Sequence, residues 1–199
     1  MTNREAEGSS DSQLPHFECT KCGACCREKP MLITVTGRDI VRISSALGIG
    51  SEETMRALDF YVVAKENEVP VGLQGIPSPM TERGPTFIAL KKMENSDCVF
   101  LKDNLCMIHA LRPTVCRSFP FVFRESTDGV KWGLSAAKHI CPGLGVGPEV
   151  SEEELRELSI SVLESIRVYR EFIDQWNAKP ATTAIDLIKA ILSEHQFYI

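Results

Sequence analysis

The chain has 199 residues, of which 43% are hydrophobic and 25% charged, with a net charge of −5. That composition suits one sizeable globular domain with a helical appendage and excludes a chain that is disordered or membrane-embedded throughout. The acidic balance and the lack of a long basic run give no support to a nucleic acid or anionic membrane surface as partner.

In chain order, the opening "MTNREAEGSSDSQLP" is polar and rich in small residues. It lacks the basic n-region and apolar h-region of a signal peptide, and residues 1–16 read as a disordered leader. No apolar run approaches the roughly 20 residues needed to cross a bilayer. A cytoplasmic location is therefore expected. Reducing conditions there keep thiols unpaired, which turns the reading of the eight cysteines from disulfides toward metal ligation or redox chemistry.

Four of those cysteines fall in "CTKCGACC", residues 19–26. Next, "TGRDIVRISSALGIG" predicts a short amphipathic helix. Thr36 and Asp39 form its capping box, Ile40, Ile43 and Leu47 share a face, and Gly48 stops it. "SEETMRALDFYVVAKE" predicts a second helix capped by Ser51, with Met55, Leu58 and Val62 on one stripe. Four prolines and three glycines make residues 69–86 a loop. "TFIALKK" and "CVFLKDNLCMIH" read as short strands. Asp103-Asn104 is a turn pair that folds Cys98 and Cys106 toward each other. "FPFVFRESTDGVKWGLS" predicts a hairpin about Asp128-Gly129, with Phe119, Phe121, Phe123 and Trp132 as core or a dry wall.

From Pro148 the pattern becomes helical. Ser151 and Glu154 form a capping box, and Leu155, Leu158, Val162, Ile166, Tyr169 and Ile173 recur at three- and four-residue intervals. Pro180 closes this helix, and "TTAIDLIKAILSEHQF" supplies another. The expected fold is α+β, a small irregular metal-stabilised core of short β-hairpins and amphipathic helices, closed by a C-terminal helical pair. Residues 17–147 form the metal-binding domain and residues 148–199 a helical extension packing on it.

The cysteines are Cys19, Cys22, Cys25, Cys26, Cys98, Cys106, Cys116 and Cys141, and all eight are candidate metal ligands. Two residues between cysteines let a tight turn aim both sulfurs at one ion while backbone amides spread the thiolate charge. Cys19, Cys22 and Cys25 match the first three ligands of a ferredoxin-like run, and Cys141-Pro142 matches its remote fourth. Adjacent side chains on extended backbone point apart, so Cys25 and Cys26 are assigned to different centres, or to different metals of one polynuclear cluster.

One partition gives Cys19, Cys22, Cys25 and Cys141 to one site and Cys26, Cys98, Cys106 and Cys116 to another. Four thiolates around zinc, or around a doubly charged four-iron cluster, carry two net negative charges, which Lys21, Arg27, Arg112 and Arg117 are placed to offset. The bland alternative is that Cys98, Cys106, Cys116 and Cys141 are small core hydrophobes. His109, three residues after Cys106, reads as a hydrogen-bonded structural residue behind the ligands.

"CTKCGACC", "CVFLKDNLCMIHALRPTVCRSFPF" and "CPG" together resemble the YkgJ-type cysteine-cluster family, a zinc- or iron-chelating domain, over roughly residues 17–143. The resemblance implies that the eight cysteines are the ligands, with Arg112, Pro113, Arg117 and Pro120 at the other motif positions. Where the family usually carries tyrosine, this chain has His109. One branch, the flagellin lysine methylases, couples such a cluster to methyl transfer from S-adenosylmethionine, but no glycine-rich cofactor loop is found here. The C-x-x-x-C-x-x-C motif of radical enzymes is also absent.

The leading expectation is an iron–sulfur protein, with a 4Fe-4S cluster in a redox or cluster-assisted catalytic role and a redox or protein partner. The alternatives are a structural zinc protein acting as a partner-binding module, or a metal chaperone.

Overall fold

The computed structural model describes residues 14–29, 31–62, 73, 75–180 and 182–198. The expected leader up to residue 13, and positions 69–72 and 74 of the expected loop, lie outside the described residues.

Three helices start as their capping residues dictate. Helix α2 (Gly37–Leu47) has the complete Thr36/Asp39 box and ends on Gly48 with φ +65, a left-handed conformation that glycine adopts without steric cost. Helix α5 (Glu152–Asn177) begins at the Ser151/Glu154 box, and α6 (Ala184–Ser193) at a Thr183/Asp186 box. Their inner faces merge in one core. Ile40, Val41 and Ile43 of α2 meet Val168, Tyr169, Phe172, Ile173 and Trp176 of α5 and Leu187, Ile188 and Ile191 of α6. Each large apolar side chain so buried contributes on the order of 1.5–3 kcal/mol. Leu47, expected on the inner stripe of α2, is instead 44% exposed. Among the described residues no helix is long and apolar enough to cross a membrane.

The second expected helix is half wrong. Helix α3 spans only Ser51–Arg56, and its cap position is Gly50, with no side-chain cap. From Leu58 the chain is strand β2 (Leu58–Val62). The Leu58/Val62 spacing fits a helix, but "LDFYV" is rich in residues that fit a pleated surface, and β4 (Gly84–Leu90) supplies a partner in register from Leu58↔Leu90 to Val62↔Thr86. With β3 (Met80–Thr81) the order is β2-β4-β3. The segment Ile33–Val35 also lies along β4, with the Val35 amide donating to Ile88 O at 3.1 Å and the Leu90 amide to Ile33 O at 2.8 Å.

Three two-stranded pieces surround the cysteines. Strands β5 (Leu101–Lys102) and β6 (Leu105–Cys106) form the expected hairpin. Its turn residues Asp103 and Asn104 have φ of 49 and 66, as a tight type I′ turn requires. Strands β7 (Phe121–Ser126) and β8 (Gly129–Leu134) form the second hairpin, with Phe121 edge-on to both Trp132 and Phe17. The third pairing is not legible in the sequence: β1 (His16–Phe17) lies antiparallel to β9 (Leu144–Glu149). Gly143 permits it, because a Cβ there would collide with the Glu18 carbonyl.

Candidate metal centre

The eight cysteines reach the site from five pieces of backbone, and all eight thiols are free. The β1/β9 pairing brings Cys19, just after Phe17, close to Cys141, just before Leu144. Cys19 and Cys22 lie on an exposed loop. That loop turns sharply through Lys21 and Gly23, with φ of 54 and 72, into the short helix α1 (Ala24–Arg27) that carries Cys25 and Cys26.

The backbone at the adjacent pair is helical and not extended, so the premise on which Cys25 and Cys26 were expected to point apart is corrected. On a helical turn, neighbouring side chains diverge by about 100° rather than 180°, and the Cys26 thiol is the first influence raising the pKa of Cys25. The Cys98 amide donates to Cys26 O at 2.9 Å, which clamps the second half of the site onto the first. Cys106 ends β6, and Cys116 sits in helix α4 (Thr114–Ser118).

Packing and charge divide the thiols differently. Cys26, Cys98, Cys106 and Cys116 all pack on the main core, whereas Cys141 belongs to a small separate cluster with Phe17, Phe119 and Ile140. Electrostatically, Cys25 is a hub. Ionised, it pushes up the pKa of Cys98, Cys106, Cys116 and Cys141, and Cys19 does the same to Cys106 and Cys141.

Burial is the largest cause of the raised pKa of Cys98, Cys106, Cys116 and Cys141. For Cys25 the neighbouring Cys26 thiol comes first and burial second. Without a metal, these five thiols are neutral at physiological pH. Among the described residues, no three of the histidine, cysteine, aspartate and glutamate side chains converge tightly enough to clasp one ion as they stand.

Opposing the burial are backbone amides two or three residues downstream. The backbone of Phe100 hydrogen-bonds to the Cys98 sulfur, that of Ile108 to Cys106, and those of Gly143 and Leu144 to Cys141. Each lowers the pKa of its thiol, because an N–H aimed at sulfur favours the thiolate. Thiolate is the form that binds metal.

Of the basic residues expected to offset the thiolates, Arg112 is in place. Its Nη1 lies 3.8 Å from the Cys19 sulfur, and its charge lowers the pKa of Cys25 and Cys106. Arg27 acts as an anchor instead, pairing with Asp97 at 3.5 Å and donating to Cys22 O at 3.4 Å and to the Asn104 side chain. Arg117 donates to the Thr114 hydroxyl at 3.4 Å, and Lys21 makes itself felt at His109.

Two residues that the sequence did not single out for the site support it. Lys92 Nζ donates to Cys26 O at 2.9 Å and Glu28 O at 3.2 Å, and its charge lowers the pKa of Cys98. Asp39, read from the sequence only as a helix cap, also holds α4. One of its oxygens accepts from the Thr114 amide, the Thr114 hydroxyl and Arg42. Arg42 in turn donates to Arg112 O at 2.8 Å. Nothing near position 92 or 39 in the sequence announces a tie to residues so far away.

His109 departs from its expectation. It lies on a 3-10 turn (His109–Leu111). Its Nε2 is covered from solvent and has no hydrogen-bond partner among the described residues. Burial first, then the charges of Arg112 and Lys21, hold it below the ordinary histidine pKa.

The donor set itself tests what could bind here. Eight soft sulfur donors, several with amides aimed at them, suit zinc or iron and not a hard oxygen-seeking cation. An α+β chain whose thiols are gathered between strand pairs and short helices falls in the class of cysteine-rich metal-chelating proteins. The family itself follows from comparison: the CxxCxxCC model, described as "Putative zinc- or iron-chelating domain", matches residues 18–142, and the chain belongs to that family. The resemblance drawn from the cysteine motifs is borne out. No curated protein and no solved structure was found to match the chain.

Proposed function

We propose that the cysteines hold an iron–sulfur cluster, and that the protein uses it in electron transfer or cluster-assisted chemistry with a redox partner. The observation that supports this reading is the β1/β9 pairing, with the Glu18 amide donating to Gly143 O at 3.3 Å, which sets the ferredoxin-like run Cys19, Cys22 and Cys25 beside Cys141-Pro142. Cys98, Cys106 and Cys141, with their amide donors, are the anchoring ligands, and hydrogen bonds to sulfur are one of the protein's means of setting a cluster potential. Cys19 and Cys22 are exposed, giving the centre a solvent-facing rim where an electron partner could approach. Arg112, beside Cys19, offsets part of the cluster's negative charge.

A second reading is favoured by one observation: Cys26, Cys98, Cys106 and Cys116 all pack on the main core, where a structural zinc would staple helices to hairpins. Dithionite separates the two. An iron–sulfur centre loses visible absorption on reduction and recovers it on reoxidation. Metal-loaded protein with no such response would overturn the redox reading in favour of zinc.

A further inference from the structure

We propose that His109 supplies a nitrogen ligand to the metal centre through its Nε2, making the donor set mixed rather than all-sulfur. This rests on the metal-binding reading of the cysteines and goes beyond it, since that reading assigns only thiols.

A histidine kept for structure normally uses both ring nitrogens in hydrogen bonds when they are buried, because an unmatched buried polar atom costs on the order of 1–3 kcal/mol. The Nε2 of His109 is shielded from solvent and has no partner among the described residues. A metal ion takes up the lone pair of such a nitrogen. The location agrees. Arg112 Nε donates to His109 O at 3.0 Å, while Nη1 of the same guanidinium lies 3.8 Å from the Cys19 sulfur. One arginine thus ties the 3-10 turn of His109 to Cys19. Three residues upstream, Cys106 ends β6, and the backbone of Ile108, next to His109, hydrogen-bonds to the Cys106 sulfur. The turn that carries His109 is therefore tied to Cys19 through Arg112 and to Cys106 through its neighbour Ile108.

Imidazole serves zinc and iron alike. It replaces an anionic donor with a neutral one, so a centre with one histidine carries one negative charge fewer than its all-thiolate counterpart. On iron, such a replacement raises the reduction potential.

The test uses the full chain, freed of metal under anaerobic conditions and titrated with zinc alone, in wild type, His109→Phe and His109→Gln. Zinc-edge X-ray absorption of the wild type should show a nitrogen neighbour at about 2.0–2.1 Å beside sulfurs at about 2.3 Å. Both variants should lose that nitrogen and bind zinc on the order of tenfold more weakly. The glutamine variant, which keeps a polar side chain, guards against a phenylalanine variant that misfolds. A wild-type shell of sulfur alone, or a nitrogen retained in either variant, overturns the role of His109 and leaves the thiol centre standing. A wild type that takes up no zinc overturns this proposal, while the iron–sulfur reading stands or falls separately on the iron and sulfide content of the protein as purified.

Discussion

One carboxylate oxygen of Asp39 accepts both the amide N–H of Thr114, at 2.9 Å, and its hydroxyl, at 2.8 Å, across a separation of 75 residues. The other oxygen accepts from the Thr36 amide and hydroxyl, each at 3.0 Å. Asp39 thus caps α2 and holds the start of α4, two residues before Cys116. The side chain has no exposure to water, so every one of these bonds acts in a low-dielectric setting.

Replacing Asp39 with alanine strands the Thr114 amide and unpairs Arg42. The expected cost is about 1–3 kcal/mol, the penalty for leaving the buried Thr114 amide unmatched, with Arg42, whose side chain is 32% exposed, adding little. Metal affinity should fall with it, because α4 and Cys116 lose their anchor. Denaturant unfolding of metal-free protein, compared with Asp39→Asn, checks this, and a loss below about 1 kcal/mol for alanine would show that the network is incidental.

Lys92→Met keeps most of the apolar stem but removes the donors to Cys26 O and Glu28 O. Two lost hydrogen bonds at a half-buried position predict a destabilisation of about 1–2 kcal/mol. Metal affinity should drop more than global stability does, since both carbonyls belong to the segment that carries Cys25 and Cys26. Competition with a chelator gives the affinity, and equal wild-type and variant values would contradict this role.

Gly23→Ala tests the bend of the first motif. The backbone there has φ +72, and a Cβ would meet Asn104 O at 3.0 Å and Leu101 Cδ1 at 3.1 Å. Left-handed backbone alone costs a non-glycine residue about 1–2 kcal/mol. The variant should fold with a lowered melting temperature and bind metal less tightly. An unchanged melting temperature would mean that the motif does not hold this turn.

The raised thiols predict a pH dependence for metal-free protein. Cys98, Cys106, Cys116 and Cys141 titrate above the ordinary value of 9.0 in the folded chain. Below that value both folded and unfolded chains hold these protons. Above it the unfolded chain releases them first, so stability falls as pH rises. Melting temperature should therefore decline from about pH 8 to about pH 10, and decline less in Cys116→Ala. A slope unchanged by that substitution would contradict burial as the cause.

What could be read from the sequence was local. The Thr36/Asp39 and Ser151/Glu154 boxes place two helix starts within a few residues, and Asp103-Asn104 announces its hairpin because the turn chemistry lies inside the turn. Strand β2 was misread because Leu58 and Val62 satisfy a helical spacing, and the deciding partner, β4, lies some thirty residues on in register. The β1/β9 pairing, which draws Cys19 toward Cys141, was hidden for the same reason, its second strand being "LGVGPE". At the site, the spacing of the thiols gave their identity as candidate ligands. The anchors Asp39 and Lys92 were invisible, since their partners are backbone groups of distant segments and leave no pattern of their own.

The central claim is tested most directly by metal and acid-labile sulfide content, with a visible spectrum, on full-length protein purified without oxygen. The account predicts brown protein containing iron and sulfide in comparable amounts. Colourless protein with stoichiometric zinc would contradict the iron–sulfur reading, and folded protein with neither metal would contradict a metal centre in this chain.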